Sequence, residues 1–237
     1  MKVKHYATFK TDLGSDKLDK EAWERLRMDT SESAYCIEDS VDLYEQNCKK
    51  YSIYCNSAKT ICKILKQNNC RHIITVGTGK GILEWYIKKY MPDLYVECTD
   101  YAEETIDKLK KVFADCDDLH AFDMLEGDYG SFNKEAFVIF FRVSTELNYK
   151  QWRQCFKKMH DAGIRNIIFV SDEIASVSVA KREITTHMKN RLKKKKDTFC
   201  GWIYSADEYR KLFQKSGYQA VKKVKSDILH LFVLKKV

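Results

Sequence analysis

Three glycines alternate at Gly77-Thr78-Gly79-Lys80-Gly81, between the apolar run HIITV (72–76) and the amphipathic stretch ILEWYIKKY (82–90). A chain that must turn sharply and let a ligand approach its backbone needs glycine there. Free N–H groups at the start of the following helix favour a ligand's negative group. About twenty residues on, Asp100 stands at the end of the next apolar run, where a carboxylate can accept hydrogen bonds from both ribose hydroxyls of a nucleoside. The dinucleotide fingerprint G-x-G-x-x-G is not met, because position 82 is isoleucine and the spacing is G-x-G-x-G.

A second set of chemically capable residues follows later apolar runs. Arg142 and Glu146 emerge after AFVIFF (136–141), and Asp172 and Glu173 after NIIFV (166–170). In an open α/β sheet, ligands bind beyond the carboxyl ends of the strands. Glu146 or Glu173 is therefore a candidate base or orienting group, and Arg142 a candidate for positioning an anionic or polar substrate. The plain alternative is a helix-entry loop with a surface ion pair. His160 reads as a surface or capping histidine, and His187 as a solvated one that could also reach a substrate as a base. Tyr51 and Tyr54 are candidates to close over a site or to pack, and Trp202 and Tyr204 to line the substrate side or join the core.

The elements that must position these residues follow from periodicity. The first seventy residues lack strand patterning and read as helices over 16–27, 33–50 and 52–66. From Arg71 onward short apolar runs alternate with stretches of helical length: 72–76, 94–98, 119–122, 136–141 and 166–170. That is the pattern of consecutive β-α units. Asn148-x-x-Gln151 predicts a capping box, Gly163 a helix end, and Ser205-x-x-Glu208 another helix start that runs to Gly217. The last two runs, YQAVKKV and DILHLFVLKKV, turn near 225–227 and are too close for a crossover, so they pair antiparallel. The expected architecture is a Rossmann-like, doubly wound, mostly parallel α/β sheet over 71–237 with a C-terminal antiparallel hairpin, preceded by a helical cap or lid over 1–70.

On these residues the chain resembles the class I S-adenosylmethionine-dependent methyltransferases, over about 71–237. The resemblance implies that Gly77, Thr78, Gly79 and Gly81 wrap the methionine part of S-adenosylmethionine, and that Asp100 and its neighbour Tyr101 meet the ribose. It further implies that Asp123 holds the adenine amino group, with Phe122 and Met124 flanking the ring. One position departs from the pattern: the family usually has Asp or Glu two residues before the first glycine, and here stands Thr75, a hydroxyl that can order the loop and carries no charge. The family's Asn-Pro-Pro-Tyr type motif for amine methylation is excluded because Pro92 is the single proline; Pro-Cys and C-x-x-x-C-x-x-C are missing too. Arg142, where the metal-dependent catechol-type subgroup has a carboxylate, argues that no metal is used.

Composition sets the remaining bounds. With 237 residues, 44% hydrophobic, 32% charged and 13% aromatic, the chain has ample material for a core. The longest apolar run, 136–141, is far short of the ~20 residues that cross a bilayer, and the N-terminal stretch has no apolar signal-peptide segment. Nine cysteines without C-x-x-C read as reduced thiols of a cytoplasmic protein. Cys48, Cys55 and Cys62, seven apart, read as small hydrophobes in a helix seam. Net charge is +8, of which +7 lies in 181–196 (KREITTHMKNRLKKKK), expected as a mobile lysine-rich loop near the pocket mouth. The functional expectation is methylation of a small-molecule acceptor, at oxygen, under the N-terminal lid. The alternatives are an RNA methyltransferase using 181–196 as its phosphate contact, and a non-catalytic interaction domain, for which Thr75 is the only support.

Overall fold

The computed structural model describes residues 1–14, 17–29, 35–193 and 195–237. Its main sheet has seven strands: β2 (His72–Val76), β3 (Tyr95–Asp100), β4 (Asp118–Ala121), β5 (Phe137–Phe141), β6 (Asn166–Ser171), β8 (Tyr218–Ser226) and β9 (Leu229–Lys236). Their spatial order is β4-β3-β2-β5-β6-β9-β8. The first five are parallel, β9 runs antiparallel to β6, and β8 antiparallel to β9. The expected mostly parallel, doubly wound sheet with a terminal antiparallel hairpin is the observed one. Strand order reverses between β2 and β5, which places the glycine loop after β2 at the switch point where such sheets take ligands.

Helices cover both faces. α2 (Val41–Cys48), α3 (Ser52–Gln67), α4 (Ile82–Tyr90) and α5 (Glu103–Val112) bury one apolar cluster against the sheet, with Ile61, Leu65, Ile87 and Leu109 on the helix side and Ile73, Val96 and Ile139 on the strand side. α6 (Tyr149–Asp161) and α8 (Ala206–Lys215) bury the other, built on Trp152, Phe156, Tyr209, Phe213 and the strand residues Phe140, Phe169 and Phe232. The caps follow the sequence signals. Asn148 and Gln151 form the reciprocal capping box of α6, and Ser205 accepts the Glu208 N–H at the start of α8. Cys48 and Cys62 are buried in the first cluster, while Cys55 is half-buried with its Sγ 3.0 Å from the Tyr90 hydroxyl; all nine cysteines are free thiols.

Three expectations are corrected. The first seventy residues are not all helical, because Lys2–Ala7 forms β1, paired antiparallel with β7 (Thr198–Tyr204), itself a strand absent from the sequence reading. Neither strand has clean two-residue alternation of apolar and polar side chains; KVKHYA and TFCGWIY make sense only as partners in a ribbon. The first helix is α1 (Lys20–Met28), N-capped by Asp19, whose side chain accepts the Ala22 N–H; Asp16, Ser33 and Ala34 of the expected helices lie outside the described residues. The basic stretch is not a loop: α7 (Val177–Leu192), capped by Ser176, takes up most of it.

Gly201 makes the β1–β7 ribbon possible. A Cβ there would lie 1.7 Å from the Thr145 carbonyl oxygen, and its φ of +119° is one that side chains rarely adopt. The close approach lets the Trp202 N–H donate to the Thr145 carbonyl (3.3 Å), fixing the loop after β5 against the ribbon.

Candidate active site

The glycine loop is a left-handed turn held by the backbone of β3 and by the Asp100 side chain. Gly77, Gly79 and Gly81 have φ of +74°, +59° and +68°, values that cost a side-chain-bearing residue energy. The N–H groups of Gly77 and Thr78 both donate to the Thr99 carbonyl at 2.9 Å. Asp100 is buried and doubly anchored: Oδ2 accepts the Gly79 N–H (2.9 Å) and Oδ1 the Ala102 N–H (3.1 Å). A carboxylate has about four lone-pair sites, so each oxygen can still accept one more donor.

These residues form one side of a cavity of about 500 Å³ lined by Gly77, Thr78, Gly79, Asp100, Tyr101, Asp123 and Met124. Asp123 Oδ1 accepts the N–H groups of Leu125 (2.7 Å) and Glu126 (3.2 Å), which locks the loop after β4 at the cavity edge. Two of the expected cofactor residues stand outside the lining. Phe122 packs its ring on Tyr129 and Phe132. Gly81 is the N-cap of α4, where a Cβ would crowd the Tyr44 hydroxyl at 3.0 Å, so its small size serves the packing of α2 on the loop.

An acid does stand beside Thr75, contributed by the helix after the loop. Glu84, in the first turn of α4, is fully buried beside the Thr75 and Thr78 hydroxyls and close to Asp100. Burial pushes its carboxyl up to about 7. Among the described residues its Oε2 meets no hydrogen-bond partner within range, nor does Thr78 Oγ1. The sequence signal was an acid in the first turn of the helix after the glycines, a place the helix dipole favours.

The opposite side of the cavity carries the acceptor-side candidates. Glu146 accepts a hydrogen bond from the Trp23 indole N–H at 3.2 Å. Burial raises its carboxyl to about 7, against the lowering effects of Trp23 and the Arg27 guanidinium. Arg142 sits at φ +61°, donates from Nε to Asp172 and from Nη1 to the Tyr54 hydroxyl (3.1 Å), and lies 5.5 Å over the Tyr54 ring. Arg142, Glu146 and Asp172 all line the cavity. Glu173 does not: its carboxylate takes two hydrogen bonds from Arg182, with Nη1 at 2.6 Å. Tyr51 and Tyr54 are in the wall, whereas Trp202, Tyr204, His160 and His187 are not. His187 stacks on Tyr6 (4.4 Å) with Nδ1 2.8 Å from Asp197.

The residues that sequence reasoning missed come from the N-terminal segment. Trp23 and Arg27 lie four apart on one face of α1, and the Arg27 guanidinium stands 5.1 Å from the Trp23 ring. Arg27 Nη2 also lies over the glycine loop, 2.9 Å from where a Gly79 Cβ would be, while Nη1 donates to the Tyr35 carbonyl at 2.9 Å. Phe9, Tyr35, His5 and Cys200 complete that side. Among the described residues, one grouping of side chains has metal-ligand geometry, Glu97 with Asp118 and His120; none of the three lines the cavity.

No protein-family model matches the chain, and no curated protein matches it in sequence. Solved structures match it by shape. A putative O-methyltransferase of Nostoc punctiforme PCC 73102 superposes with a TM-score of 0.61 at 14% identity over 97% of this chain and 64% of that one. Human N-acetylserotonin methyltransferase, solved with S-adenosylmethionine, gives 0.59 at 12% over 92% and 56%. Magnesium protoporphyrin IX methyltransferase from Synechocystis PCC 6803, solved with S-adenosylhomocysteine, gives 0.57 at 11% over 91% and 93%. The fold is that of the class I S-adenosylmethionine-dependent methyltransferases. The chain spans about half the length of the first structures it matches, 50% and 56%, and no helix among its described residues is long and apolar enough to cross a membrane.

Proposed function

We propose that this protein transfers the methyl group of S-adenosylmethionine to an oxygen of a small, planar acceptor, with Glu146 as general base. The observation that carries the reading is a near-neutral carboxyl, Glu146, held by Trp23 in the same cavity as the glycine loop and Asp100. When bound, the cofactor supplies an activated methyl group on a positively charged sulfur.

The residues present fit that group. Left-handed glycines open the backbone to it, the free lone pairs of Asp100 would accept ribose hydroxyls, and Arg27 over Gly79 would offer a cation to a carboxylate. Met124 and Leu125 offer apolar surface to a base, beside Asp123. The volume of about 500 Å³ lies within the range of roughly 300–1,000 Å³ typical of small-molecule sites. Glu146 takes the acceptor's proton, and a group poised near 7 suits that task at neutral pH. Arg142, braced by Asp172 and Tyr54, binds an anionic or polar substituent, and Phe9, Tyr35, Tyr51 and Tyr54 hold a flat ring between them.

Several neighbours are named for small acceptors: one O-methyltransferase from Planctomyces limnophilus was solved with apigenin. Segment 1–70, through α1, serves as the lid on the body 71–237, and the compartment is the cytoplasm. The RNA reading has less support, because most of the basic stretch lies in α7 and none of its described residues lines the cavity. The non-catalytic reading has less support, because a buried acid, Glu84, lies beside Thr75. The test is transfer of a labelled methyl group to a panel of phenols and carboxylic acids. Turnover that Glu146→Gln abolishes supports the proposal; no transfer to any hydroxyl or carboxylate by a cofactor-binding sample rejects oxygen as the target.

A further inference from the structure

α7 has two faces of different character. The inner face packs on the β1–β7 ribbon: Val179 sits with Val3, Ala175 and Ile203. Its polar inner residues are matched in turn, Glu183 with His5, His187 with Asp197, and Asn190 with Thr8 and Asp197. The outer face is uncovered. Val177, Ile184, Met188 and Leu192 are 80%, 60%, 59% and 83% exposed, and at 3.6 residues per turn they fall within an arc of about 80°. Four of the twelve large exposed hydrophobics among the described residues lie on this one stripe.

The stripe is set in positive charge. Lys181 lies within the arc, Arg191 at its edge and Lys189 about 60° to its side, while Lys193 and Lys195 follow the helix end; none of the five has a carboxylate in ion-pair range among the described residues. The single acid of the helix, Glu183, is turned inward and only 10% exposed. An apolar stripe rimmed by unpaired cations and lacking exposed acids is the composition of a helix that lies in a membrane interface.

We propose that the outer face of α7 docks on an anionic lipid bilayer surface. The four apolar side chains enter the acyl boundary, while the lysines reach back to the headgroup phosphates and carboxylates on flexible stems. Charge complementarity selects this occupant over the others. A second copy would bring the same cations face to face. A nucleic acid would satisfy the cations yet leave the aliphatic stripe in water, and the face has no aromatic ring on which a base could stack. The inner neighbour of α7, β1, contributes His5 and Ala7 to the cavity wall, so the docked helix stands one strand away from the acceptor site. The inference does not depend on the chemistry assigned to that site.

The experiment is co-sedimentation of the full chain with phosphatidylcholine vesicles, with and without phosphatidylserine, at low and high salt. Wild type should partition onto the anionic vesicles alone and leave them at high salt. Lys181→Ser/Lys189→Ser/Lys195→Ser should lower partition about 100-fold, since each basic residue near an anionic surface contributes a factor of roughly five. Ile184→Ser/Met188→Ser/Leu192→Ser should lower it at least ~10-fold, because burial of a large apolar side chain is lost three times over. Five of the six positions are on the solvent side of a packed helix and Lys195 is an exposed residue that follows it, so circular dichroism should be unchanged. The proposal is overturned if folded wild type binds neither vesicle, if neutral vesicles bind equally well, or if either triple variant binds like wild type. It is also overturned by self-association in sedimentation velocity that the apolar variant abolishes without any lipid partition. Tight poly-uridine binding that the basic variant loses and the apolar variant keeps, again without lipid partition, would assign the face to nucleic acid instead.

Discussion

Replacing Trp23 with Phe removes one hydrogen bond and keeps most of the ring, so it isolates what the indole N–H does for Glu146. A hydrogen bond to a charged group is worth about 1.5–3 kcal/mol, and at 3.2 Å this one belongs at the weak end. One pKa unit corresponds to about 1.4 kcal/mol, so Trp23→Phe should move the Glu146 inflection up by about one unit from its value of about 7. Below the inflection, turnover should fall tenfold per pH unit in both proteins, so at pH 6 the variant should run about ten times slower than wild type. At pH 9 the two should converge. Glu146→Gln should lose about 10²–10⁴-fold and flatten this limb of the profile, with cofactor affinity unchanged. The assay is single-turnover methyl transfer between pH 5.5 and 9, with calorimetry of the cofactor alongside. An inflection that stays put in Trp23→Phe, or moves to lower pH, would refute the coupling. An unaltered profile in Glu146→Gln would remove Glu146 from the chemistry.

Further expectations concern the frame around that group. Asp100→Ala should weaken S-adenosylmethionine by 1.5–3 kcal/mol, about 10–150-fold in Kd by calorimetry; an unchanged Kd would show that the ribose is held elsewhere. Glu84 binds its proton more tightly folded than unfolded, so its contribution to stability is fully present below its unfolded pKa near 4.5 and is lost as pH rises to about 7. Glu84→Gln should therefore gain stability relative to wild type between pH 5 and 8, by up to about 3 kcal/mol in urea unfolding; a constant difference across that range would contradict the buried acid. Gly201→Ala should destabilise by about 1–3 kcal/mol or more, because its Cβ meets backbone and not a movable side chain, and should slow turnover through the displaced Thr145–Glu146 loop. A thermal midpoint equal to that of wild type would show that the ribbon yields.

The sheet was legible because its strands are buried on both faces and read as apolar runs, HIITV and NIIFV above all, while the helices announce themselves by caps such as Asn148 and Ser205. The glycine loop and Asp100 were legible for the same local reason: their chemistry is in consecutive residues and one strand-length of spacing. What stayed hidden is non-local. β1 and β7 stand nearly two hundred residues apart and acquire a pattern only when paired. Trp23 lies in a segment read only as a helix, and only the fold brings it to Glu146, 123 residues along the chain. Glu84 was read as part of an amphipathic helix, since nothing in ILEWYIKKY says that its third residue points under the loop. Lysine density suggested a loop over 181–196, yet lysine and arginine are good helix formers, and the inner residues of α7 are tied one by one to β1 and to Asp197.

We propose that the cavity floored by the glycine loop, with Thr75 in place of the usual acid, holds S-adenosylmethionine. Titration calorimetry of the full chain with S-adenosylhomocysteine tests it most directly. Binding should be saturable at one molecule per chain, lost or strongly weakened in Asp100→Ala and retained in Glu146→Gln. A folded protein that releases no heat and shows no binding of either S-adenosylhomocysteine or S-adenosylmethionine would contradict it.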